Sequence, residues 1–115
     1  MRAVELAKEA VERAPKEENH WNTLGVAHYR AGNWKAAVEA LNKSRELRKG
    51  DDAFDLFFLA MAHWRLGQKY DALKWYKQAV QWVEKNNEAL ATNPGWSEEL
   101  RRFRAEAKEL LNVKE

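Results

Sequence analysis

The sequence predicts an all-α fold of about six helices, paired into stacked hairpins. Three observations lead there. Isoleucine is absent, threonine appears twice and valine seven times, while the helix-favouring Ala, Leu, Glu, Lys and Arg dominate. The chain repeats itself: LGVAHYRAGNWKAA at 24–37 returns as LAMAHWRLGQKYDA at 59–72. At this offset of 35, Leu24, Ala27, His28, Arg30, Gly32 and Ala37 match Leu59, Ala62, His63, Arg65, Gly67 and Ala72. Finally, apolar residues recur at the spacing of one helix face, and glycines interrupt them.

Each element follows from local signals. Residues 2–13 read as a lone helix with Ala3, Val4, Leu6, Ala7, Ala10 and Val11 as apolar positions, ended by Pro15. Residues 19–31 carry Leu24, Ala27, His28 and Ala31 on one stripe. Gly32 stands where a left-handed residue stops a helix, and Asn33 is placed to cap the next. Residues 34–48 hold Ala37, Val38, Leu41 and Leu47 on a second stripe. The plan recurs at 53–66, with Asp52 as N-cap, Asp55 in the first turn and Gly67 as the stop. No breaker follows Lys69 before Asn93-Pro94-Gly95, so that helix is expected to run to about Ala91. Ser97 is expected to cap a last helix whose stripe is Leu100, Phe103, Ala107, Leu110 and Leu111.

At 115 residues the chain fits one domain. Ala3, Ala10 and Pro15 stand 34 residues before Ala37, Ser44 and Lys49, so residues 1–17 are expected to be a half repeat containing the second helix alone. Residues 18–52 form the first full repeat and 53–91 the second, with an extended second helix. Residues 97–113 form a C-terminal capping helix, solvated by its many Glu and Arg residues. The helices together make three hairpins' worth, enough for a stacked core.

Bulk properties exclude several function classes. A net charge of +2, from 20 basic and 18 acidic residues, gives no reason to expect a nucleic-acid partner. No cysteine is present, which removes disulfides, thiolate nucleophiles and Cys-ligated zinc. Met1 to Glu9 lacks the apolar core of a signal peptide, and no apolar run approaches the ~20 residues that cross a bilayer. A cytoplasmic chain without a membrane partner is expected. The 6 Trp, 3 Tyr and 4 Phe are the unusual component, either packed at helix contacts or displayed to a partner.

The repeat resembles the tetratricopeptide repeat, a helix–turn–helix unit with the pattern W-x2-L-G-x2-Y followed by Ala, an aromatic or Leu, Ala and Pro. Counting from Glu18, Trp21, Leu24 and Gly25 fall on the W, L and G, and Ala37, Leu41 and Ser44 on the later positions. Counting from Ala53, Leu56, Leu59, Ala60, Ala72, Tyr76 and Ala79 do the same. His28 and His63 replace the usual Tyr, and Lys49 replaces the terminal Pro. The resemblance covers roughly residues 1–87 and implies a right-handed α–α superhelix. AHWRLG…ALKWYKQAV followed by EELRRFRAEAKELL also resembles tetratricopeptide tails of bacterial multidomain proteins, including Ser/Thr kinases.

No constellation suggests catalysis or a cofactor. His28 and His63 lie on separate first helices ~10 Å apart, and no third metal ligand accompanies them. Asp51, Asp52 and Asp55 lack the glycine and distal Glu of a calcium loop and read as a helix cap. Arg101, Arg104 and Lys108 alternate with Glu98, Glu99, Glu106 and Glu109, a salt-bridged solvent face. No Gly-rich phosphate loop or nucleophile motif occurs.

The resemblance places a peptide-binding groove on the first helix of each repeat. Its lining positions are Asn19, Asn22, Val26 and Tyr29, then Phe54, Phe57, Met61 and Trp64, flanked by Arg30 and Arg65. The implied function is a non-catalytic protein–protein interaction module that takes a peptide or partner helix in that concave groove. The alternative is a self-assembling structural repeat unit, natural or engineered. It would form a homo-oligomer through apolar ends and through Trp34, Trp75 and Trp82 on the second helices.

Overall fold

A computed structural model describes residues 2–114. It contains seven helices and no strand among those residues: α1 (Arg2–Arg13), α2 (Glu18–Arg30), α3 (Trp34–Arg48), α4 (Ala53–Arg65), α5 (Lys69–Lys85), α6 (Asn87–Ala91) and α7 (Pro94–Leu111). Consecutive helices pair as α2–α3 and α4–α5 hairpins, with α1 packed on α2. The thinnest dimension is 23 Å, two helix diameters of ~10–12 Å. The molecule is an all-α helical-repeat solenoid of two layers.

The hairpins are close because the sequence leaves room for them. A Cβ on Gly25 would lie 2.6 Å from Cγ of Leu41. Leu41, Ala37, Ser44, Ala60, Ala72 and Ala79 are all fully buried at the corresponding contacts. Gly32 and Gly67 take φ of +84° and +82° after the first helices, the backbone region in which glycine carries no Cβ penalty. The Asp52 carboxylate accepts from the Asp55 N–H at 3.1 Å and caps α4. The Trp21 indole donates to the Pro15 carbonyl at 2.8 Å, tying the turn after α1 to α2.

The repeated histidines hold the turns. His28 Nδ1 is 3.3 Å from Asn33 Nδ2, and His63 Nδ1 is 2.6 Å from Gln68 Oε1. In each case the partner is the N-cap residue of the next helix. His28 is buried, and that burial, helped by Lys8, holds its pKa below the ordinary value.

Two boundaries differ from the sequence expectation. The extended helix to Ala91 is divided: α5 ends at Lys85, and α6 is separate. At the break Asn86 leaves helical backbone values, with φ −108° and ψ 16°, and its side-chain Nδ2 and backbone N–H both donate to the Trp82 carbonyl, at 2.8 and 3.0 Å. The last helix begins at Pro94 instead of beyond Ser97. Asn93 is its cap, accepting from the Trp96 N–H at 3.2 Å, and Pro94 has its φ preset for a first helical turn. The Ser97 hydroxyl instead donates to the Leu90 carbonyl at 3.2 Å.

The core has two parts. Val4, Ala7 and Val11 of α1 enclose Leu24 and Ala40 at one end. The larger cluster surrounds α4, whose Leu56, Phe57, Phe58, Leu59, Ala60, Met61 and Ala62 are essentially inaccessible. This helix is apolar almost all round because it is covered on every side. α3, α5 and α7 all pack on it, and α2 touches it as well.

Candidate functional site

The position of α7 decides what remains open. It runs beside α4, with Trp96 edge-on to Phe54 at 6.3 Å and Phe103 edge-on to Phe58 at 4.8 Å. Further along, Glu106 forms a two-pronged ion pair with Arg30 of α2, one arm of which spans 2.8 Å. The Arg30 guanidinium also lies 5.2 Å from the Phe58 ring. α7 therefore covers α4 at Phe54 and Phe58 and reaches the C-terminal end of α2 through Glu106.

That arrangement revises the expected groove. Phe57 and Met61 are fully buried and Tyr29 nearly so, so they form no accessible wall. Phe57 turns to Tyr76 of α5 at 5.9 Å, while its neighbour Phe58 faces α7. Tyr29 packs on Phe58 at 5.6 Å, and its hydroxyl accepts from Arg65 Nε at 3.4 Å. Val26 and Trp64 are half-buried against the core, Lys69 Nζ lies 5.0 Å from the Trp64 ring, and Arg65 lies 5.9 Å from the Trp34 ring.

Asn19, Asn22 and Phe54 do come together. They line a cleft of ≈ 560 Å³ formed where the N-terminal halves of α2, α4 and α7 meet. Glu18, Thr23, Arg48, Asp52, Trp82, Trp96 and Glu99 complete its walls. Trp96 is 57% exposed, and the adjoining Phe54 ring supports it from one edge. The sequence reading did not single out Trp96, although the stripe Leu100–Phe103–Ala107 extends backward by one turn to reach it.

Beneath the cleft lies Asp55, which is fully buried. Its Oδ1 accepts from Asn22 Nδ2 at 2.7 Å, and its Oδ2 accepts from the Ser44 hydroxyl at 3.0 Å. Arg48 is 3.0 Å from Asp52 and 3.7 Å from Asp55. This cluster joins α2, α3 and α4, a larger role than the first-turn position suggested. Burial pushes the Asp55 pKa up to about 6 against the opposing hydrogen bond from Asn22. Burial also raises Asp52, against the attraction of Arg48.

Asn22 is oriented by this cluster. Its Nδ2 donates to Asp55 and to the Phe54 carbonyl at 3.3 Å, which leaves Oδ1 as its free acceptor. The cleft thus combines an aromatic surface, a positioned amide acceptor and carboxylates. Among the described residues no group of three or more His, Asp or Glu could hold a metal ion. No described helix is long and apolar enough to cross a membrane.

Residues 1–53 match the tetratricopeptide repeat family. The matched segment spans α1, α2 and α3 and stops at the first residue of α4. No curated protein matches the chain. Tetratricopeptide repeats commonly serve as protein-interaction modules, and the α4–α5 hairpin repeats the α2–α3 plan beyond the matched segment.

Trp34, Trp75 and Trp82 are half-buried against the core. Trp75 lies 4.5 Å from the Arg45 guanidinium and stacks on His63 at 6.4 Å. Each is only partly accessible, and Trp82 also lines the cleft. Trp96 is the tryptophan with a largely open face.

Proposed function

We propose that the chain is a non-catalytic module that binds an extended peptide segment of a partner protein in the cleft between α2, α4 and α7. One observation carries the reading: an exposed Trp96 shares a cleft with Asn22, whose amide the Asp55 cluster holds with Oδ1 free. Trp96 and Phe54 supply apolar area for a side chain, and Asn22 and Asn19 supply hydrogen-bonding groups for a backbone. The closed C-terminal half of the inner face favours a short extended segment over a long helix.

Selection from a random peptide display library tests this. Selected peptides are expected to compete for one site and to lose binding to Trp96→Ala and Asn22→Ala. Peptides that bind both variants undiminished, with the helical circular dichroism of each unchanged, would place recognition elsewhere.

A further inference from the structure

We infer that the cleft selects a peptide carrying an arginine side chain, a conclusion that rests on the peptide-binding reading above. The first ground is charge. Glu18, Asp52 and Glu99 line the cleft with one cation, Arg48, and Arg48 is already engaged by Asp52 and Asp55. Glu18 and Glu99 are both partly buried, and neither is paired with a cation among the described residues. The cleft is therefore acidic on a chain whose net charge is +2, so its sign is local.

The second ground is the indole. Trp34, Trp64 and Trp75 each carry an Arg or Lys of this chain within 6 Å of the ring. No described cation lies over Trp96, the most exposed of the tryptophans. A cation attracted to the ring face and paired with a carboxylate satisfies both groups at once. Guanidinium suits this better than ammonium, since it is planar, stacks on an indole and forks onto a carboxylate.

The probe is an acetylated, amidated alanine heptapeptide with a central arginine, titrated into the whole chain and followed by proton–nitrogen spectra. The Trp96 indole N–H signal, assigned from Trp96→Phe, is expected to shift saturably. The same peptide with citrulline, which keeps the shape and loses the charge, is expected to bind at least about fivefold more weakly. The double variant Glu18→Gln with Glu99→Gln is expected to weaken the arginine peptide by a similar factor. Equal binding of the citrulline peptide, or undiminished binding by the double variant, overturns the inference. A lysine peptide that binds as tightly as the arginine peptide overturns the choice of guanidinium. If display-selected neutral peptides shift Trp96 as strongly, the peptide-binding reading stands and this inference falls. If no peptide of any sequence shifts it, both fall.

Discussion

Asn22 of α2 donates to the fully buried carboxylate of Asp55 on α4 at 2.7 Å, and this one bond joins the core to the cleft. The carboxylate holds the amide, and the amide offers its remaining oxygen at the cleft wall. Ser44 and Arg48 of α3 support the same carboxylate from the other side. A buried charge is tolerable when hydrogen bonds and a cation surround it, yet burial still raises the pKa of this carboxyl above its ordinary value.

The pH dependence follows from that balance. The folded-state pKa of Asp55 is about 6, above its ordinary value of 3.8. Between these values the folded chain holds a proton that the unfolded chain releases, so stability falls as pH rises through that window. The full difference corresponds to roughly 3 kcal/mol. Urea midpoints measured at pH 4 and pH 7.5 isolate this contribution by comparison with Asp55→Asn, because His28, whose lowered pKa makes stability rise with pH, acts equally in both proteins. The change in midpoint from pH 4 to pH 7.5 should be clearly more negative in the wild type than in Asp55→Asn, the contribution of Asp52 having the same sign as that of Asp55 and being common to both. Identical pH profiles for the two proteins would contradict the assignment.

Gly25→Ala should destabilise the α2–α3 hairpin. The new Cβ meets Cγ of Leu41 at 2.6 Å, and that atom lies too close to the helix to swing away. Overpacking of this kind costs about 1–3 kcal/mol. It outweighs the ~1 kcal/mol by which alanine favours a helix over glycine. A lowered thermal midpoint checks this, and an unchanged or raised one would show that the helices separate easily.

Phe103→Ala should loosen α7 while α1 to α3 stay folded. Its partly buried ring packs edge-on against the fully buried Phe58 at 4.8 Å, and removing it should cost less than the ~3 kcal/mol of a fully buried aromatic. Hydrogen exchange should quicken first in α7 and in the α4 turns beneath it. Uniform quickening along the chain would mean that α7 and the repeats unfold as one unit.

The Arg30–Glu106 pair should contribute far less. Its side chains are 48% and 36% exposed, and pairs so solvated couple by about 1 kcal/mol or less. A double-mutant cycle with Arg30→Ala and Glu106→Ala, repeated in 0.5 M salt, measures it. The coupling should shrink with salt, since the charges are reached by counterions.

Trp96→Ala should change stability little, within about 1 kcal/mol, because over half of the indole already faces solvent. Chemical denaturation checks it, and a small effect makes this variant a clean reporter of binding. A large loss would mean that the Phe54 contact carries more packing than the exposure indicates.

What the sequence determined by itself was set within a turn or two of each residue. Helical stripes, the Asp52 cap and the Gly32 and Gly67 stops all follow from short-range patterns. The repeat then carried the hairpin plan from one unit to the next. The start at Pro94 escaped because Asn93, not Ser97, accepts the first-turn N–H and caps the helix. The open surface was a different kind of question. Phe57 and Phe58 are adjacent and chemically identical, and the helices that docked around α4 turned one to α5 and the other to α7. Burial is a property of what arrives from elsewhere in the chain. Tertiary structure alone therefore decided that the expected groove is half closed, that Asp55 is a core carboxylate, and that Trp96 meets Asn22 at the opening that remains.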